Sequence, residues 1–172
     1  MIKRAAETTL LRLASQFPIV GVFGPRQSGK STLTKATFPQ KRYVSFDDRT
    51  TRELATANPA DFVAAFPEGA IIDEAQKVPD IFDALKIRVD SAELSPGMFV
   101  VTGSSQLRLR LNMTDSLAGR AAFLRLLPFS VKELRDADIL PENPYDVIFK
   151  GLYPPLHDPV RNFLPYDWYE SY

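Results

Sequence analysis

Residues 24–31 read Gly24-Pro25-Arg26-Gln27-Ser28-Gly29-Lys30-Ser31, the spacing G-x-x-x-x-G-K-[ST]. This pattern does the chemistry of a P-loop. The two glycines let the backbone curl so that successive N–H groups point inward at phosphate oxygens. Lys30 then reaches the β- and γ-phosphates, and the Ser31 hydroxyl ligates Mg²⁺. Thr32 continues into a helix whose positive N-terminal end adds to the same anion site. Gly24 to Thr32 are therefore the expected nucleotide-binding residues. A second pattern follows at Ile71-Ile72-Asp73-Glu74, an apolar run ending in two acids. Asp73 is placed to hold the Mg²⁺ shell and Glu74 to polarise an attacking water. Adjacent carboxylates on a buried strand are costly without a compensating cation. A strand end with solvated acids is the simpler alternative.

Phe99-Val100-Val101-Thr102-Gly103-Ser104-Ser105 is another apolar run, ending in hydroxyl residues. One of these hydroxyls is expected beside the γ-phosphate, Thr102 or Ser104 ahead of Ser105; an ordinary strand-to-turn exit is the competing reading. Phosphoryl transfer also calls for a cation that neutralises transition-state charge, in cis or from a neighbouring subunit. Arg120 is the first candidate, with Arg108 and Arg110 behind it. A surface salt bridge is the blander use of any one of them. Arg26 lies at a variable position of the loop. Asp47 and Asp48 are read as approaching the metal or, more simply, as capping a helix.

The elements that must position these groups alternate. Apolar spacing predicts a helix over residues 4–16. Strands are expected at Phe17–Phe23, Lys41–Phe46, Ala70–Asp73, Met98–Thr102 and Ala121–Leu127. Helices are expected from Ser31 to Thr37, from Arg49 to Ala57, from Pro59 to Phe66 and from Asp80 to Leu94. Strands alternating with helices argue for an α/β fold, a parallel sheet covered on both faces, with its ligand at the carboxyl ends of the strands. After Pro128 prolines become dense and aromatics cluster at Tyr166, Trp168, Tyr169 and Tyr172. The expected division is a core over 1–130 and a small helical subdomain or connector over 131–172. The aromatic tail reads as a base-stacking surface or, in preference, as packing on the body or on a further domain, and His157 as a solvated loop residue.

Composition removes several classes. The 172 residues include no cysteine and one histidine, so disulfides, thiol catalysis and a Cys/His zinc site are excluded. Lys plus Arg equals Asp plus Glu, at 21 each, so no global field draws the chain to nucleic acid. No apolar stretch approaches the ~20 residues that span a bilayer. The N-terminus lacks the apolar core of a signal peptide. A cytoplasmic location is expected.

The P-loop, Ile-Ile-Asp-Glu-Ala-Gln and Val-Thr-Gly-Ser-Ser together resemble the prokaryotic AAA+ ATPases related to origin-recognition and STAND-type ATPases. Ser116-Leu-Ala-Gly-Arg-Ala121, Leu127-Pro-Phe-Ser130 with Glu133, and Gly151-Leu-Tyr-Pro-Pro155 look like further signatures of that family. The resemblance implies a P-loop core with sheet order 5-1-4-3-2, ATP, Mg²⁺, and the roles given above. No [NT]-K-x-D guanine-reading motif is present. It also implies a C-terminal domain beyond Tyr172, so the chain looks like a truncated member. The expected activity is ATP hydrolysis that drives or gates a partner or attached module. A nucleotide-gated binding module with negligible turnover is the alternative. Less favoured is a P-loop kinase closing Arg108, Arg110, Arg120 and Arg125 on its substrate. A homo-oligomer or partner supplying an arginine is expected from the resemblance, and DNA binding is a weak expectation.

Overall fold

The computed structural model describes residues 2–91, 95–104 and 117–172. Five strands form one parallel sheet: β1 (Ile19–Phe23), β2 (Arg42–Ser45), β3 (Ala70–Asp73), β4 (Phe99–Gly103) and β5 (Ala121–Arg125). Their spatial order is β2-β3-β4-β1-β5, the order expected. Every residue of β1, β3 and β4 is buried, which is why these strands read as unbroken apolar runs and not as alternating ones. In-register pairs such as Ile19–Phe99 and Ile19–Ala121 put β1 at the centre of the P-loop half.

The period of two sends alternate strand residues to opposite faces. On one face Ile19, Ile72, Phe99 and Val101 pack with α3 (Arg49–Ala57), α4 (Pro59–Ala64) and α5 (Ile81–Ser91) through Phe46, Phe82 and Leu85. On the other, Val20, Val22, Ile71 and Val100 pack with α1 (Ala6–Ala14) and α2 (Lys30–Thr37) through Leu10, Leu33 and Phe38. Asp48 caps α3, its carboxylate accepting from Thr51 N–H at 2.7 Å. Asn58 caps α4 ahead of Pro59, which opens that helix. Residues 92–94, the expected end of α5, lie outside the described residues. Among the described residues no helix is long and apolar enough to cross a membrane.

Beyond β5 the chain forms α6 (Val131–Asp136), α7 (Pro144–Lys150), a 3₁₀ turn at Pro154–His157, and α8 (Pro165–Ser171). Helix α7 leaves Tyr145, Ile148 and Phe149 exposed. His157 is not the solvated residue expected. Its Nε2 contacts the Gly151 carbonyl at 2.8 Å, its ring meets Phe129 edge-on, and burial lowers its pKa.

One buried ion pair ties the two ends of the chain together. Arg4 Nε donates to Glu133 Oε1 at 3.0 Å, with the two side chains only 9% and 8% exposed. Glu133 also closes a capping box with Ser130 at the start of α6 and accepts the Ala5 N–H at the start of α1. Burial pushes the Glu133 pKa upward. The Ser130 and Ala5 N–H groups and the Arg4 guanidinium outweigh it, holding the carboxyl below its ordinary 4.5. Its contribution to stability is complete above about pH 4.5 and is lost as pH falls through the lower folded-state value. Glu133→Ala leaves Arg4 buried without its counter-charge, at a cost of about 3 kcal/mol. Thermal melts at neutral pH are expected to fall by roughly 6–12 °C. The variant's stability should also decline less steeply than the parent's below pH 4.5.

Candidate functional site

The loop between β1 and α2 is built by close approach and by an unusual backbone. A Cβ on Gly24 would lie 1.9 Å from the carbonyl oxygen of Leu126, where the chain leaves β5, so only glycine fits. Gly29, at the start of α2, has φ 91°, and Gln27 has φ 57°. Left-handed geometry is unfavourable for a residue such as Gln27 and is seen where a site requires it.

The loop's carbonyls are held by donors from within the loop and from beyond it. Lys30 Nζ donates to the Gly24 and Pro25 carbonyls at 3.0 and 2.8 Å. Tyr172 Oη donates to the Arg26 carbonyl at 3.2 Å, and Arg4 Nη1 to the Ser28 carbonyl at 2.9 Å. A trans peptide points its N–H opposite to its carbonyl. Fixing the Pro25, Arg26 and Ser28 oxygens therefore fixes where the N–H groups of Arg26, Gln27 and Gly29 point. Ser28 Oγ is buried with no partner, the kind of orphaned donor that an anion satisfies.

Facing the loop, β3 ends in Asp73 and Glu74. Three hydroxyls converge on the Asp73 carboxylate: Ser31 Oγ at 2.9 Å, Tyr43 Oη at 2.5 Å, and Thr102 Oγ1. The Tyr43 hydroxyl, buried and bonded to Asp73, has its pKa pushed up to about 12. Tyr43 carries no motif; β2 pairs with β3, and only that pairing brings it to the acid. Glu74 takes a left-handed backbone, φ 55°. Its Oε2 accepts from Gln76 Nε2 at 2.5 Å and from Ser104 Oγ at 3.1 Å. Burial lowers the Lys30 pKa from 10.5, while Glu74 and Asp73 act to raise it.

These groups line one cleft of about 610 Å³, within the size range of small-molecule sites. Arg26, Gln27, Gly29, Lys30, Ser31 and Thr32 form its loop side, and Asp73 and Glu74 its acidic side. Lys77 and Asp47 form an ion pair at its rim, so Asp47 is engaged by a lysine and Asp48 by its cap. Arg161, paired with Asp158 at 3.5 Å, also lines it. Arg161 carries no motif; it stands a few residues past the Gly-Leu-Tyr-Pro-Pro segment. A smaller cavity of about 90 Å³ adjoins the loop, walled by Ile2, Leu33, Ala36, Phe129 and Pro154. Among the described residues no three Asp, Glu or His side chains gather that could hold a metal by themselves. The donor set that could share Mg²⁺ with phosphates is the Ser31 hydroxyl and the Asp73 carboxylate.

Arg120 is not brought to this cleft. It precedes β5, and in a parallel sheet that is the edge opposite the loop, roughly 16 Å away along five residues of strand. There it pairs with Asp90 through Nε and Nη2, at 2.5 and 2.9 Å. Of the two uses expected of Arg120, in cis or from a neighbouring subunit, strand direction places it away from its own cleft. Ser105, Arg108 and Arg110 lie outside the described residues.

Helices on both faces of a parallel sheet, with an anion-cradling loop leaving β1, define a P-loop NTPase-like α/β protein. Within that class the chain belongs to the AAA domain family, P-loop ATPases whose pattern it matches over residues 16–135. It is 31% identical over 133 residues to uncharacterized proteins of Mycobacterium bovis and Mycobacterium tuberculosis. That match covers 77% of this chain and 30% of theirs, so the chain spans under a third of these relatives' length. The fold is similar to that of a Walker-type ATPase of Pyrococcus abyssi, with TM-score 0.60 and 20% identity, over 90% of this chain and 65% of that one.

Gly24→Ala forces a methyl group against the Leu126 carbonyl, and the loop or the β5 exit must shift. Overpacking of this kind costs about 1–3 kcal/mol. A fall in melting temperature of roughly 2–12 °C is expected, measured by circular dichroism.

Proposed function

We propose that the chain binds ATP with Mg²⁺ in this cleft and hydrolyses it, using the cycle to gate a conformational change in an attached or partner module. The observation that carries the reading is the convergence of Lys30, Ser31, Asp73 and Glu74 on one cleft, with Ser31 bonded to Asp73 across it. Loop N–H groups and Lys30 bind the phosphates. The small apolar cavity beside Thr32 offers a surface for the base. Mg²⁺, held by Ser31 and Asp73, would neutralise charge on the β- and γ-phosphates.

Glu74 accepts a proton from the attacking water as its oxygen bonds to the γ-phosphorus. The bond to the bridging oxygen breaks, releasing ADP and phosphate. Ser104, bonded to the same carboxylate, orients it. Arg26 and Arg161 supply cationic charge from within the chain. Arg120 could serve only a neighbouring copy. A kinase-like arginine lid finds little support, since Arg120 sits at the far edge and Arg125 on the exposed end of β5.

Phosphate release from ATP should depend on Mg²⁺ and fall by about 100-fold or more in Glu74→Gln, with ATP binding retained. Binding without release in the parent chain would instead favour a nucleotide-occupied module. Tyr43→Phe removes one hydroxyl from Asp73. It should raise the Mg²⁺ concentration for half-maximal release by about tenfold while leaving the maximal rate within a few-fold.

A further inference from the structure

The C-terminal helix α8 is seven residues long and has no side-chain N-cap, too little to hold a helix by itself. It is held by what it sits on. Trp168 is 3% exposed, whereas Tyr166 on the same helix is 66% exposed. The indole packs against Tyr153, Tyr169 and Tyr172 with ring centroids near 5 Å. Gly151 makes room for this cluster, since a Cβ there would lie 1.9 Å from Tyr169 Oη.

The polar atoms of the cluster are aimed at the P-loop. Trp168 Nε1–H donates to Gln27 Oε1 at 2.9 Å, and Tyr172 Oη–H to the Arg26 carbonyl at 3.2 Å. Gln27 and Arg26 both line the nucleotide cleft. Two donors from α8 thus hold the crown of the loop, including the residue in left-handed geometry.

We infer that Trp168 and Tyr172 are positioning residues for the P-loop, and that phosphate occupancy of the loop is read out as a change in how α8 is seated. The inference rests on the reading that this cleft binds ATP. The Tyr172 bond fixes the Arg26–Gln27 peptide plane, and with it the direction of the Gln27 N–H. Phosphate drawn against that N–H acts on the same peptide from the other side. By linkage, whatever loosens α8 weakens nucleotide binding, and nucleotide alters the seating of α8 to the same extent.

Trp168 is the sole tryptophan of the chain, so its emission reports on this contact alone. ATP affinity is measured separately, by equilibrium dialysis of radiolabelled ATP with Mg²⁺. Saturating ATP is expected to shift Trp168 emission and change its quenching by acrylamide. Gln27→Met, which keeps length and removes the acceptor, should abolish that shift. Trp168→Phe and Tyr172→Phe should each weaken ATP binding about three- to tenfold, the worth of one hydrogen bond. ATP bound in dialysis with Trp168 emission unmoved would overturn the inference and leave the nucleotide reading intact. Tyr172→Phe changes only a hydroxyl at the helix end, so parental affinity in that variant overturns the positioning role even if Trp168→Phe fails to fold. No ATP retained by the parent chain would overturn both.

Discussion

The Arg4 guanidinium is the point at which separate parts of the molecule become one site. Its Nε faces Glu133, its Nη1 the Ser28 carbonyl, its Nη2 the Leu127 and Pro128 carbonyls, and its Cζ lies 4.8 Å from the centroid of the Phe129 ring. A buried charge is tolerated only when its donors are matched, and a planar fork matches several acceptors at once. The P-loop, the exit from β5 and the start of α6 each present a polar atom to it. Without this cation, those atoms would face each other as unpaired carbonyls and a lone carboxylate. The shape of the anion cradle is thus set from behind, by groups that never touch the cleft.

Much of the sheet and loop could be read from the chain because their signals are local. Gly24 to Ser31 declare a phosphate cradle by spacing alone, and the apolar runs at β1, β3 and β4 mark strands buried on both faces. Arg4 was hidden inside an amphipathic helix pattern because its partner, Glu133, comes from the far half of the chain. Tyr43 was hidden in a strand for a related reason: only β2–β3 pairing sets it against Asp73. For Arg120 the sequence leaves cis and trans use open, because proximity to a strand says nothing about which end of the sheet that strand starts from. In parallel topology the residue before β5 and the residue after β1 stand at opposite edges. The aromatic tail admits packing on the body, on a further domain or on a base, and Trp168 packs on the body, tied to a residue of the P-loop, while Tyr166, Tyr169 and Tyr172 stay exposed.

Among the described residues, part of the backbone's conformational cost lies at the cleft and part at Asp138 and Asn162. Gln27 and Glu74 both take left-handed backbones, and they stand on the two sides of the same space. Each is restrained by side-chain bonds: Gln27 to Trp168, and Glu74 to Gln76 and Ser104. Strain persists only where neighbours over-determine it. Electrostatics are balanced in the same way, with buried Lys30 set against Asp73 and Glu74. A polyanion and a divalent cation arriving together preserve that balance, whereas either alone would upset it.

The sheet order also decides when this site comes into being. β1, which carries the P-loop, has no partner among β2 and β3; it is zipped between β4 and β5, whose residues lie far downstream. Closing such long loops is slow, because chain entropy is lost before the pairing returns anything. During synthesis, Gly24 to Ser31 leave the ribosome long before Gly103, which pairs with Phe23 at the root of the loop, or Leu126, which walls Gly24. Anion capture therefore waits until β4 and β5 have been made. A ligand seated there draws the population toward molecules whose distant halves have already met.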